Sequence, residues 1–459
     1  MLGEAFLKIA AGWQGAFSRI SSFNRAVAMA LGLLCGIGRG TTSRAILALG
    51  KSEQDWSADY RLCSRAPWDA EALFTSALAE ALTHVPGDWC VLAYDDTRLK
   101  KTGKKIQGAQ YHRDPLSPHF HPNLMYGLRF LQGSILLPLH KTSERSARAI
   151  PISFESAPCP KKPGKRATPE DWALYKEAQK SQNLSVSFRE NLLRQRIRLD
   201  ELGEQGRLMV ATVDGSFCNK KCLGQLPERT AVLARARRDA KLCFAAPEGS
   251  RRIYSKETLT PEAVLRDESV PFEKGYFVFG GAERELRFKR VENVLWQGGT
   301  KTRRLTLLVL APIPYRVSPN GPRNYRNPAF LLCTTTGLSS ERLIQAYLDR
   351  WQIEVNHKDE KDILGVGQAQ VWSTKAIPRQ PALAVAAYSV LLLAGLAAFG
   401  PGRSSSFPAL PKWRKRARRP SLQDMIAVLR TEFADPTSIL SRNVSAPPGF
   451  ENLVLTAAA

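Results

Sequence analysis

The sequence predicts an α/β protein with a helical N-terminal region. Three observations carry this. Residues 1–85 read as helical. Two apolar runs, WCVLAYDD (89–96) and RLMVATVD (207–214), read as buried strands that end in acids. Residues 215–335 hold further strand-like pieces, GYFVFGG, ELRFKRV, RLTLLVLA and FLLCTTT, and long helical stretches flank them.

The 459 residues suffice for about three domains at roughly 150 residues each. An apolar fraction of 44% is ordinary for a globular chain and excludes collagen-like, mucin-like and wholly disordered classes. Charge is the unusual quantity. With 66 Lys and Arg against 42 Asp and Glu, the net charge is +24. Such a surplus costs self-repulsion, so a polyanionic partner, nucleic acid first, is expected. The alternative is a merely basic soluble protein.

Taken in order, Phe23–Leu34 forms an apolar-periodic helix, GIGRG (36–40) turns the chain, and Thr41 or Thr42 caps a helix through Leu49. A third helix is expected to begin near Ser52. With Arg39, Arg44 and Lys51, this arrangement suits either a helix-turn-helix DNA reader or a plain helical bundle. Beyond the first strand, LMYGLRFL and ILLPLHK flank QGS and suggest a hairpin across 124–141. Residues 142–167 are polar, Pro-rich and basic, and read as a loop. Helices are expected over 169–202, 338–364 and 382–399, and a last amphipathic helix follows Ser421. Residues 401–420 read as a linker with seven basic residues and no acid.

Residues 380–402 carry no charge and are long enough to span a bilayer. They are Ala-rich, carry Tyr388 and Ser389, and start after Pro378, so a buried core helix is the expectation. The N-terminus lacks the basic start and apolar core of a signal peptide. The eight cysteines show no disulfide framework, and Cys218/Cys222 has no second pair to complete a zinc site. Reduced thiols and a cytoplasmic location follow. His112, His119 and His121 do not fit a compact zinc site. No phosphate-binding GxxxxGK[ST] loop occurs, so no nucleotide cofactor is implied.

The acids at the strand ends carry the chemistry. Asp95 and Asp96 follow VLAY, and Asp214 follows MVATV. Burying an acid is costly unless a cation or a catalytic role offsets it. A third acid from a helix would complete a carboxylate cage for Mg2+. Two such ions about 4 Å apart activate water and stabilise the leaving oxygen in phosphodiester cleavage. The helix from 338 offers Glu354. With Tyr347 set at zero and about 100° per residue, Arg350, Glu354, Lys358 and Lys361 join it in a stripe roughly 80° wide. Such a stripe suits a metal ligand beside DNA phosphates, or a solvated charged face.

Tyr347, Arg350, Glu354 and Lys361, separated by two, three and six residues, resemble the Y-R-E-K signature of DDE transposases from bacterial insertion sequences. YDDT (94–97) is similar to that family's first-aspartate motif, in which the Asp directly before Thr binds metal. This carries over to Asp96, with Asp95 as the alternative. VDGSF (213–217) looks like the second-aspartate strand.

The resemblance spans roughly residues 90–372 and implies an RNase H-like catalytic core. It implies a β-rich insertion between Asp214 and the Glu354 helix. The chain then divides into a helical N-terminal DNA-binding domain (1–85), core (86–218), β-rich insertion (219–335), core helices (336–400) and a basic linker with a C-terminal helix (401–459).

It further implies two Mg2+ ions, with Mn2+ as a substitute, held by Asp96, Asp214 and Glu354. Double-stranded DNA, as element ends and target, would be cut and joined by a homodimer. Arg350 and Lys361 would hold phosphates, and Tyr347 would touch the same backbone. Trp351 and His357 both occur in relatives that form a DNA hairpin, where the Trp stacks on a base. Here Trp351 either does so or packs under the helix. Lys104 and Lys105 in the basic run 98–108 follow DNA or form a solvated turn. Lys358, Arg237, Arg238 and the arm at 412–419 are further DNA-contact candidates. A nuclease of this fold that never joins strands, or a non-catalytic DNA-binding descendant, would use many of the same residues.

Overall fold

The computed structural model describes residues 2–434 apart from 115, 116, 119, 140–146, 319, 403–411 and 414–418. Most of the basic arm at 412–419, and His119, lie outside the described residues. Five helices open the chain: α1 (Leu2–Ala10), α2 (Ile20–Cys35), α3 (Thr42–Ala48), α4 (Ser57–Ser64) and α5 (Leu73–Leu82). The Thr41 hydroxyl accepts the Arg44 amide and so caps α3. The helix expected near Ser52 starts instead at Ser57.

Then come β1 (Trp89–Lys100), β2 (Gln110–Arg113), β3 (Leu124–Leu137), β4 (Arg148–Ser156), α6 (Pro169–Ser181), α7 (Leu184–Glu201), β5 (Leu208–Val213), the short α8 (Lys220–Leu223) and β6 (Thr230–Arg235). The strand-rich stretch continues with β7 (Leu242–Ala245), β8 (Tyr254–Leu259), α9 (Pro261–Arg266), β9 (Glu273–Phe279), β10 (Ala282–Val294), β11 (Leu305–Leu310), β12 (Pro314–Arg316), β13 (Arg323–Tyr325) and β14 (Ala329–Cys333). The chain closes with α10 (Ser340–Asp349), α11 (Gln352–Lys358), α12 (Ala376–Phe399) and α13 (Leu422–Ala434).

One ten-stranded sheet organises the molecule. Its order is β2-β3-β1-β5-β6-β14-β11-β10-β9, and β4 also pairs with β3. The β1–β3 and β3–β4 pairs are antiparallel, and β5 runs parallel to both β1 and β6. The strand-rich stretch expected at 219–335 is present, and five of its strands continue this sheet.

Two expectations fail here. QGS does not turn the chain: Gln132 and Gly133 lie inside β3, opposite Asp95 and Tyr94. A side chain at 133 would put its Cβ 2.9 Å from the Tyr94 ring, so glycine serves close packing, not a turn. The loop expected at 142–167 contains β4. Pro151 is tolerated because β4 pairs only with β3 and the register shifts beside it.

Long helices also break. Residues 169–202 form α6 and α7, and Asn183 caps the second by accepting the Val186 amide. Residues 338–364 form α10, α11 and a wide π turn over 359–363.

Both faces of the central strands are covered. Val91, Ala93, Val210 and Leu233 pack with Leu343, Ile344 and Ile353 of α10 and α11. Leu92, Tyr94, Ala211 and Val213 join a cluster with Phe188 and Leu192 of α7. That second cluster also takes in α1, α2, α5 and α12, so the N-terminal helices share a core with the sheet.

Among the described residues, α12 is the one helix long and apolar enough to cross a membrane, and it is mostly buried within the protein. Ser389 Oγ donates to Pro151 O at 2.8 Å, and Tyr388 sits fully buried in a polar network. The core-helix reading therefore holds.

Candidate active site

Register sets the site. Ala93 pairs with Thr212 across parallel β1 and β5. Two residues further on, Asp95 and Asp214 stand side by side where β5 ends. Side chains alternate along a strand, so Asp95 shares the face of Val91 and Ala93, beneath α10 and α11. Its cross-strand partner Gln132 confirms that face. Gln132 Nε2 donates to Ser134 Oγ, and Ser134 Oγ donates to Asn356 Oδ1 of α11 at 3.2 Å.

Asp96 points the other way. It pairs across the sheet with Leu131, and its carboxylate lies 3.5 Å from Arg98 Nη2. The strand's pleat thus puts Asp95, and not Asp96, on the face of the Glu354 helix. Which acid faces α11 could not be read from polarity, because β1 is buried on both faces.

Asp95 is crowded by charge. Burial pushes its carboxyl up to about 6, His357 and Arg350 oppose that rise, and Asp214 and Asp96 add to it. Asp214 is half-buried, and its Oδ1 accepts the Ser216 amide and hydroxyl. Arg350 connects this pair to the helix. It shapes the charge at Asp95, reaches Glu354 Oε1 at 3.5 Å, and stands over the Tyr347 ring at 6.0 Å. Glu354 therefore turns toward Arg350. Among the described residues, no three His, Cys, Asp or Glu side chains gather in one metal-binding cluster. The donors that do face one another, Asp95 and Asp214, are carboxylates, the chemistry a hard divalent ion takes. A cation there would offset the cost of burying the Asp95 charge. These residues fit Mg2+ in kind.

The stripe drawn on an ideal helix is altered. Trp351, Ile353 and Glu354 amides bond three residues back, which tightens the helix. The Leu364 amide then bonds five residues back, to Asp359 O, which widens it. Tyr347, Arg350 and Glu354 remain together. Lys361 is half-buried and electrostatically coupled to Glu360 and Asp95, and burial lowers its pKa. Lys358 is exposed. Trp351 is 59% exposed, so it does not pack under the helix. His357 is buried, with Nδ1 3.4 Å from Glu360 Oε2.

Lys104 and Lys105 are exposed on the β1–β2 loop. Lys101 ties that loop down: its buried Nζ donates to Gly367 O and Ala369 O at 2.9 and 2.7 Å. Burial lowers the Lys101 pKa to about 8. Arg237 and Arg238 lie on the β6–β7 loop, each facing an acid, Asp239 and Glu262.

The glycine turn at 36–40 has a second use that spacing did not reveal. A side chain at Gly40 would stand 2.1 Å from Leu364 O, and the Gly40 amide donates to Gln368 Oε1. The N-terminal helices thereby dock on the segment that leaves the Glu354 helix.

His112 is half-buried and His121 is exposed. Cys218 and Cys222 are both free thiols, and burial pushes Cys218 up to about 12. No known protein-family model matches the chain, and no curated protein matches it in sequence.

Proposed function

We propose that the chain is a DDE-type DNA transposase of a bacterial insertion sequence. The observation that carries the reading is the juxtaposition of Asp95, midway along β1, and Asp214, where the neighbouring parallel β5 ends, under the helix that bears Arg350 and Glu354. The order β4-β3-β1-β5-β6, three antiparallel strands followed by two parallel ones, supports an RNase H-like core. On that reading β14, β11, β10 and β9 belong to an insertion that lengthens the sheet.

Asp95, Asp214 and Glu354 would hold two Mg2+ ions, or Mn2+ in their place. The bound ions supply water activation and stabilisation of the leaving oxygen. The chain's own residues do the rest. Arg350 is positioned to release Glu354 and take a phosphate. Lys361 presents a second cation on the same side, and Tyr347 backs Arg350. Exposed Trp351 offers a stacking surface to an end base, worth about 1–3 kcal/mol. Lys104 and Lys105 extend the cationic surface along the anchored β1–β2 loop. Two active sites are needed to join two ends, so a homodimer assembles on double-stranded DNA in the cytoplasm.

The test is nicking of supercoiled plasmid with Mg2+, with and without a chelator, alongside capture of a labelled DNA end into a target plasmid. Wild-type protein nicks and transfers, and Asp214→Ala binds DNA but does neither. Normal cutting by Asp214→Ala refutes the site. Nicking without capture reassigns the chain to a nuclease that does not join strands.

A further inference from the structure

A small β-ribbon is left outside the proposed site. β12 and β13 form a two-stranded hairpin of their own, inserted between β11 and β14. Tyr315, Arg316, Arg323, Tyr325 and Arg326 on it are all exposed. Residues 293–340 contain no Asp or Glu.

Pairing defines its two faces. Arg316 lies directly opposite Arg323, and Tyr325 shares their face. Tyr315 and Asn324 occupy the other. Each tyrosine carries a guanidinium over its ring at 5.7 Å, Arg323 on Tyr325 and Arg326 on Tyr315. Like charges directly opposite in a strand pair are destabilising. Among the described residues none of these arginines is paired with an acid. The ribbon therefore keeps an unfavourable charge pair in open solvent, which an anionic partner would relieve. Ring contact steadies the Arg323 and Arg326 guanidiniums, while Arg316 Nη1 donates to Gly321 O at 2.8 Å and keeps its remaining donors for phosphate.

Position adds to this. Leu331 of β14 pairs with Arg235 of β6, and β6 runs parallel to β5. The ribbon thus leaves the sheet at the end where β5 delivers Asp214. β14 stands two strands from β5, about 10 Å to the side. A two-stranded ribbon is also an element that the major groove admits.

We propose that the β12–β13 ribbon is a gripping arm for duplex DNA, with Arg316, Arg323 and Arg326 on its phosphates. This deepens the transposase reading and rests on it for the partner. The test measures binding of the full-length chain to an arbitrary duplex, and to one of its strands alone, across a salt series. Plasmid nicking is followed in parallel. Arg316→Gln/Arg323→Gln should flatten the slope of log K against log salt for duplex by about 1.8, the share of two phosphate contacts. Arg316→Lys/Arg323→Lys should keep the wild-type slope. An unchanged slope in the Gln pair overturns the arm, as does an equal loss in the Lys pair or a loss confined to single strands. If wild type nicks and the Gln pair binds normally, only the arm fails. If wild type binds neither probe, the DNA reading fails with it.

Discussion

Replacing Tyr388 with Phe should destabilise the protein by about 2–3 kcal/mol. The ring is buried, so Phe preserves packing and removes only the hydroxyl. That oxygen accepts from Asn356 Nδ2 at 3.1 Å and donates to Asp359 Oδ2 at 3.0 Å. Asn356 would keep Ala149 O for one amide hydrogen and lose the partner of the other. An orphaned buried donor costs about 1–3 kcal/mol, and a bond to a charged group contributes about 1.5–3 kcal/mol. The sum is moderated on both sides. Arg148 and Arg419 also face Asp359, and a cavity of about 240 Å³ beside it can admit water. Urea unfolding monitored by circular dichroism measures the change, with the midpoint lowered and the slope unchanged. Asn356→Ala combined with Tyr388→Phe should lose less than the two single losses added. A Tyr388→Phe loss below about 0.5 kcal/mol, or strict additivity, would refute the shared buried network.

Glu71 should give stability a pH dependence. Burial first, and then Glu155, raise its pKa to about 7, against Arg198 and the Phe154 amide. A raised carboxyl favours the protonated fold, so this contribution is present at low pH and lost as pH climbs from about 4.5 through 7. Wild type should lose about 2–3 kcal/mol from this group between those limits, and Glu71→Gln should remove that slope in urea midpoints. Gly133→Ala would place Cβ 2.7 Å from Ser153 Oγ and should cost about 1–3 kcal/mol, read as a lowered melting temperature. Trp351→Ala should leave stability within about 0.5 kcal/mol and weaken binding of a DNA end by about 1–3 kcal/mol in a titration.

Much of the sheet was readable because β1, β5, β11 and β14 carry apolar runs of strand length, while β9 and β10 hold shorter apolar pieces, YFVF and LRFKRV. β4 escaped because Pro151 and its basic surroundings resemble loop composition, yet as an edge strand it can spare that amide. Gly133 looked like a turn because sequence does not distinguish a glycine that bends the chain from one that makes room for a ring. The Glu354 helix was found from Tyr347, Arg350 and Glu354, which survive a local tightening. The more distant Lys361 lies within a widened π turn that begins just after Lys358, a change of helical pitch that a constant step cannot anticipate. The choice between the two first-aspartate candidates turns on the pleat. Val91 and Leu92 are both buried, so polarity does not say which of Asp95 and Asp96 faces the helix. Lys101 and Gly40 act through backbone partners more than 260 residues away. Local pattern carries no signal for them.

Mg2+-dependent plasmid nicking by Asp95→Asn and Asp96→Asn, side by side, addresses the two neighbouring acids midway along β1. Nicking lost in Asp95→Asn with DNA binding kept, and retained in Asp96→Asn, is the predicted result. An active Asp95→Asn beside an inactive Asp96→Asn would contradict it and return the role to the acid on the opposite face.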